Sequence, residues 1–260
     1  MPVYNGVRYL REALDSLLAQ TFPDLEIWAI DDGSTDDSPA LLASIRDPRL
    51  RVYRQDNAGQ TGALNTGLNL ATGEYIARMD QDDISEPERL AMQVAFLDSR
   101  PEVGLLGSEY MWIDEKGIPL RKISFPNNDS DLRRAMARGN QFAHSSVMFR
   151  RSLIEQVGGY IQNKDYPQFQ DYELWIRMAA HSQVANLPLV LMRWRVHENS
   201  SSAGADDTIQ RCNIDLRAKA IRTLHLPPWM WYYVLKSRVA LSLPVPWRNR
   251  VRRLLRQPTC

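Results

Sequence analysis

Along the first eighty residues the apolar positions switch period repeatedly, and each switch marks an element. Leu10, Leu14, Leu17 and Leu18 recur at the spacing of a helix face, after a turn Val3-Tyr4-Asn5-Gly6 in which Asn5 is placed to cap that helix. Leu25-Glu26-Ile27-Trp28-Ala29-Ile30 reads as a strand, and Leu41, Leu42 and Ile45 mark a second helix between Asp37-Ser38-Pro39 and Asp47-Pro48. Arg51-Val52-Tyr53-Arg54 is a third strand, Gly59 to Ala71 a helix stopped by Thr72-Gly73, and Tyr75-Ile76-Ala77-Arg78-Met79 a short buried strand. This alternation predicts an α/β fold with a mostly parallel sheet flanked by helices, whose ligands sit outside the carboxyl ends of the strands. Only the end of a strand precedes Tyr4. Either the natural start lies upstream or most of the first strand is lost.

Downstream, Leu90, Val94 and Leu97 predict a helix that stops before Pro101, and Val103 to Ile113 a long strand followed by the turn Asp114-Glu115-Lys116-Gly117. Residues 124–143 are polar and irregular around a short helix near Asp129 to Ala137. His144 to Phe149 is strand-like, Val157 to Tyr160 a turn, and Gln170 to Met178 a helix with Leu174, Trp175 and Met178 inward. Leu189 to Val196 is a last β segment delivering His197 and a flexible Asn199 to Gly204. There the pattern and the charge both change, which divides the chain into a domain of residues 1–205 and a helical extension of residues 206–260.

Length and composition fit one large globular α/β domain with an appendage: 260 residues, 44% hydrophobic and 24% charged. The overall charge of +1 hides an asymmetry. Residues 206–260 carry eleven Lys/Arg against three Asp/Glu, net +8, and the first 205 carry 21 against 28, net −7. In the extension, Trp229, Trp231, Tyr232, Tyr233 and Trp247 lie among these cations, a composition that suits an anionic membrane surface; the alternative is a helical extension packed on the body. No nucleic-acid recognition motif accompanies the charge. Cys212 and Cys260 cannot build a disulfide framework and fit a reducing compartment, and neither a signal peptide nor an uninterrupted run of about 18 apolar residues is visible. The expectation is a cytoplasmic protein, soluble or peripheral on the inner face of the membrane.

Chemistry concentrates where strands end. Asp80-Gln81-Asp82-Asp83 follows the Tyr75–Met79 strand, and Asp31-Asp32-Gly33-Ser34 follows the Leu25–Ile30 strand. Clustered carboxylates repel one another and persist where a cation or a shared proton neutralises them, and hard divalent cations that accompany phosphates take such oxygen ligands. The alternative is a solvated acidic turn capping the helix that begins near Glu86-Pro87-Glu88. If Asp80 and Asp82 share a cation, it would stabilise a diphosphate leaving group, and a second carboxylate is then needed to accept a proton from an incoming hydroxyl. Asp171, in the first turn of its helix, is the candidate; as a lone acid it is equally an ordinary first-turn residue. His144 and His197 are each either a ligand or acid–base group or a satisfied polar residue. The sequence has neither a G-x-G-x-x-G nor a G-x-x-x-x-G-K-[ST] loop, which removes the phosphate cradles of dehydrogenases and P-loop proteins.

Six stretches stand in the order found in inverting glycosyltransferases of family 2, with the GT-A fold: Pro2-Val3-Tyr4-Asn5, Asp31-Asp32-Gly33-Ser34, Asn57-Ala58-Gly59, Asp80-Gln81-Asp82-Asp83, His144 to Phe149 and Gln170 to Trp175. The chain resembles that family over about residues 1–200. The resemblance implies transfer of a sugar, with inversion, from a nucleotide-sugar donor, usually a UDP-sugar. It further implies that Val3, Tyr4, Asn5 and Asn57 belong to the nucleotide site, that Asp31 or Asp32 hydrogen-bonds the base, and that Asp80 contacts ribose or diphosphate. Asp82 and His197 would hold Mn²⁺ or Mg²⁺, and Asp171 would be the catalytic base. Gln170 stands where the family often has Glu. No Q-x-x-R-W motif of processive members follows Asp171, so the resemblance favours single addition to a glycan or lipid-linked acceptor in cell-surface polysaccharide synthesis. The competing readings are a nucleotidyltransferase, for which Asn5-Gly6-Val7-Arg8 is a poor phosphate loop, and a catalytically silent nucleotide-sugar-binding or membrane-scaffolding protein.

Overall fold

The computed structural model describes residues 1–162, 169–198 and 207–243. The flexible stretch expected at Asn199 to Gly204, the 205/206 boundary and Trp247 lie outside the described residues. In chain order the first elements are β1 (Pro2–Val3), α1 (Val7–Leu18), β2 (Ile27–Asp31), α2 (Ser38–Ser44), β3 (Leu50–Arg54), α3 (Gly59–Leu70), β4 (Tyr75–Ala77), β5 (Ile84–Ser85) and α4 (Arg89–Asp98). There follow β6 (Val103–Ile113), β7 (Pro119–Ile123), α5 (Asp129–Met136), β8 (Met148–Arg150), α6 (Arg151–Val157), α7 (Gln170–His181), β9 (Gln183–Arg195), α8 (Asp207–Thr223) and α9 (Trp231–Ser242).

The α/β reading holds, with the strands divided between two sheets. One is the parallel trio β1-β2-β3, and the other runs β4-β8-β6-β9-β5 with β7 added on β6. Parallel pairing extends to the long β6–β9 ladder, whereas β4–β8, β6–β8, β6–β7 and β5–β9 are antiparallel. Several details depart from expectation. His144–Ser146 is a 3-10 turn, so the strand there starts only at Met148. The helix α6 and strand β7 were not expected, and β9 begins at Gln183, six residues before the Leu189 start. Asn5 does not cap α1, whose first turn follows Gly6 without a side-chain cap. Its backbone is left-handed (φ 47°), and its Oδ1 accepts hydrogen bonds from the Thr35 and Asp36 amides, at 2.8 and 3.3 Å. Asn is tolerated in that conformation because its short amide can bond locally.

Apolar burial binds these layers. Leu10, Leu14 and Leu17 of α1 pack with Ile27 and Ala29 of β2, Leu42 of α2 and Met192 of β9. Trp175, Tyr172 and Met178 of α7 pack with Phe149 and Val147, and Leu216 and Ala220 of α8 belong to the same cluster. The core therefore continues from the amino-terminal body into α8. A cavity of about 620 Å³ lies between β2 and β4, lined by Trp28, Leu64, Ile76, Arg78 and Phe149 among others. None of Asp80, Asp82, Asp83 or Asp171 faces it, so it is a gap beneath the sheets rather than the seat of the chemistry.

Candidate active site

Strand pairing assembles the acidic turn. β5 pairs antiparallel with β9, Ile84 opposite Arg193 and Ser85 opposite Met192, so the residues just before β5 meet those at the end of β9. Consequently the Arg195 amide donates to Asp83 Oδ1 at 3.0 Å, and His197 Nε2 lies 2.9 Å from Asp82 Oδ2. The side chain of Arg195, almost wholly buried, donates to the carbonyls of Asp82, Asp114 and Glu115 and pairs with Glu12 at 2.5 Å. It knots the acidic turn to α1 and to the turn after β6. Gln81 closes the other side: its amide accepts from the Tyr4 backbone N–H at 2.9 Å and donates to the Tyr4 carbonyl at 3.0 Å. A Cβ on Gly6 would come within 2.2 Å of that Gln81 side chain, so the absence of a side chain at position 6 is what admits it.

Carboxylate oxygens of Asp80, Asp82 and Asp83 lie within 4.8 Å of one another. Their states differ. Burial, then the neighbouring Asp80 charge, raise the Asp82 carboxyl, and His197 partly offsets this. Burial followed by the charges of Asp80 and Asp82 pushes Asp83 well above the carboxylate range. For Asp80, burial acts upward, but the charge and hydrogen bonds of Arg78 outweigh it and hold the carboxyl low. Arg78 forks onto both Asp80 oxygens and also donates to Ser145 Oγ at 2.8 Å, while that hydroxyl donates to Asp80 Oδ2 at 2.9 Å. Asp83 Oδ2 is buried with no hydrogen-bond partner among the described residues. Repelling carboxylates, one orphaned oxygen and an imidazole on the rim are a donor set that fits Mn²⁺ or Mg²⁺.

Asp171 sits at the start of α7, apart from this cluster. Its Oδ2 accepts from Asn140 Nδ2 at 2.8 Å and its Oδ1 from the Tyr172 amide at 2.6 Å. Burial pushes the carboxyl up to about 6, against these bonds and the Arg78 charge. Gln170 Nε2 donates to Gln60 Oε1 at 2.9 Å and Gln60 Nε2 to Asp80 Oδ1 at 3.4 Å, so an amide chain from α3 links the two acidic centres. His144, held neutral chiefly by burial, lies 2.9 Å from the Tyr160 hydroxyl and packs edge-on to Trp175. It belongs to the wall between the centres.

Asp31 and Asp32 are both buried. Asp31 accepts from the Ser34 amide at 2.9 Å and pairs with Arg54 at 3.1 Å; Asp32 Oδ1 accepts from Gln55 Nε2 at 2.7 Å and the Ala58 amide at 2.8 Å. Val3 is buried beneath them, Tyr4 is exposed, and Asn57 Oδ1 accepts from the Gly59 amide at 3.3 Å. The expected nucleotide-site residues thus line one loop edge above β1-β2-β3. Arg78, Asn140, Gln60 and Arg195 were not singled out from sequence. Arg78 carried a signal, a lone charge inside an apolar strand two residues before Asp80; Asn140, in an irregular polar stretch, carried none.

The family model described as glycosyl transferase family 2 matches residues 1–158. The chain belongs to this family. Among its relatives, an uncharacterized glycosyltransferase of Haemophilus influenzae is 32% identical over 211 residues, 77% of this chain and 65% of its own length. EpsE of Bacillus subtilis is 31% identical over 96% of this chain and 90% of its own length. The amylovoran biosynthesis glycosyltransferase AmsE of Erwinia amylovora is 36% identical, over 72% of this chain and 70% of its own. The chain spans less than two thirds of the Haemophilus relative. The fold matches S. aureus TarS 1–349, solved with UDP-GlcNAc, at TM-score 0.70 and 19% identity over 96% of this chain and 76% of that one. It also matches the mannosyltransferase PcManGT from Pyrobaculum calidifontis, solved with GDP-Man and Mn²⁺, at TM-score 0.67 and 24% identity, covering 97% and 71%. The GT-A architecture follows.

Proposed function

We propose that the protein is an inverting glycosyltransferase that moves one sugar from a nucleotide-sugar donor, a UDP-sugar, to a hydroxyl of a glycan or lipid-linked acceptor. The observation that carries this reading is the pair of unlike acidic centres: a three-carboxylate cluster faced by His197, and a solitary Asp171 held near pH 6 by its surroundings. Asp171 is ionised above that pH and basic enough to accept the acceptor's proton as its oxygen attacks the anomeric carbon from the face opposite the departing diphosphate. Asp82 and His197 would hold Mn²⁺ or Mg²⁺, with Asp83 behind them, and the cation would supply positive charge against the leaving group. Val3, Tyr4, Asn5, Asn57 and Asp31 or Asp32 form the nucleotide edge, and Asp80, already charged through Arg78, offers its oxygens to ribose or diphosphate.

The complexes of TarS with UDP-GlcNAc and of PcManGT with GDP-Man and Mn²⁺ support a nucleotide-sugar donor and a divalent metal, and the name of AmsE supports a place in polysaccharide synthesis. That work takes place at the cytoplasmic face of a membrane; among the described residues no helix is long and apolar enough to cross it. A panel of nucleotide sugars, assayed for Mn²⁺-dependent hydrolysis and transfer, tests the reading. Asp171→Asn is expected to lower turnover on the order of 10³-fold, and Asp82→Ala to abolish its metal dependence. Unchanged turnover in both variants overturns the proposal, and Mn²⁺-dependent UDP binding without turnover on any acceptor points to the silent binding protein instead.

A further inference from the structure

The helix α9 carries apolar side chains on two opposite faces, and the described residues cover one. Val234 and Leu241, with Met230 before them, pack on Ile214, Ala218 and Ile221 of α8 and on Ala137. On the far side Tyr232, Leu235 and Val239 follow one another at spacings of three and four, 57%, 58% and 62% exposed, and Trp229 in the preceding turn is 61% exposed. An exposed apolar stripe at helical spacing is the pattern of a face that meets a second apolar surface. Lys236 stands within this stripe, its ammonium 5.7 Å from the Tyr232 ring, and Arg238 flanks it, exposed and only loosely paired with Asp215 at 3.2 Å.

We propose that this face of α9 docks on an anionic phospholipid surface, with Trp229, Tyr232, Leu235 and Val239 entering the interface and Lys236 and Arg238 meeting headgroup phosphates. Charge decides the occupant. Lys236 and Arg238 stand exposed at the stripe with Asp215 as the acid near them, and in sequence residues 243–260, which follow α9, carry five Arg and no Asp or Glu. A second copy of the chain would bring its own Lys236 and Arg238 against these two, which like-charge repulsion disfavours. A nucleic acid would meet the cations but leave the aliphatic stripe in water. An anionic bilayer satisfies both, because rings and aliphatic side chains sit at headgroup depth while Lys and Arg reach the phosphates. The inference rests on the membrane-face part of the proposed function and not on its chemistry, since binding to lipid is read without turnover.

The full chain should co-sediment with phosphatidylcholine–phosphatidylglycerol vesicles and much less with phosphatidylcholine alone, and added salt should release it. Leu235→Ser with Val239→Ser should weaken the vesicle affinity at least about tenfold. The same variant should keep its thermal midpoint and its UDP binding, because both side chains are exposed. Equal binding to both vesicle types, no binding to either, or parent-like binding by the double variant overturns the proposal. So does a concentration-dependent dimer that the double variant dissolves, which would assign the face to a second copy.

Discussion

Asp80 and Asp171 are the same residue type, both set into the protein and both within the field of Arg78, yet they are tuned in opposite directions. Asp80 takes the guanidinium itself, on both oxygens, and is held below the ordinary carboxylate range against the effect of burial. Asp171 takes neutral donors, an amide side chain and one backbone N–H, and burial prevails to bring it to about 6. The carboxylate that meets a cation directly stays charged, and the one that meets only neutral donors is left to burial. Stability follows with opposite signs. Asp80, depressed in the fold, contributes stability above its unfolded pKa and loses it as pH falls through the folded value. Asp171, raised in the fold, costs stability above about 6, and that cost disappears as pH falls from about 6 toward the unfolded value near 4.

The largest effect expected from breaking this contrast is Arg78→Met. It leaves Asp80 without its counter-charge beside two further carboxylates and should cost about 3–5 kcal/mol in urea unfolding. Adding Asp80→Asn should recover most of the loss, and a cost for the single variant under about 1 kcal/mol would show that Asp80 is neutralised some other way. Asp171→Asn should act in reverse. The amide needs no proton, so the fold should gain stability at pH 7 by at most about 3 kcal/mol while transfer is lost. A thermal midpoint that falls at pH 7 would contradict the raised carboxyl. Next comes the metal: Mn²⁺ at about a hundred times its Kd should stabilise the parent by about 2.7 kcal/mol, and Asp82→Asn should erase that increment. An undiminished Mn²⁺ shift in the variant would move the cation away from Asp82.

How much of this was legible in the sequence depended on range. The acidic turn, the α7 helix and the approach of His197 were readable because strand endings, helix period and family order are local or ordered features. The approach of His197 to Asp82 still needed the two-residue β5, too short to register as an element, to pair with β9. Asn5 suits a helix cap by residue type, but its left-handed backbone turns its amide toward residues 35 and 36. The 3-10 turn His144–Ser146 looked like strand on composition alone, yet it is what carries Ser145 to Arg78 and Asp80. Arg195 was visible beside His197, but its role rests on carbonyls from three places in the chain, which no spacing reveals.

Asn140 is the sharpest case, since nothing marked it and its effect should be the smallest. Its Nδ2 donates to Asp171 Oδ2 across 31 residues of sequence, which favours the ionised carboxylate and so works against burial. Besides this bond, the Tyr172 amide and the Arg78 charge also favour ionisation, while the nearby Tyr160 and Tyr172 hydroxyls are neutral because burial holds them high. Removing the amide in Asn140→Ala leaves burial less opposed, so the carboxyl moves further up. A hydrogen bond to a charged group is worth about 1.5 kcal/mol at the lower end, equivalent to roughly one pH unit. The acid limb of kcat/KM should therefore shift upward by up to about one unit, with the plateau at high pH reduced far less than in Asp171→Asn. A variant that loses activity equally at every pH has lost the position of Asp171 and not its ionisation, and an acid limb that stays in place while the plateau is intact would assign that limb to a group other than Asp171.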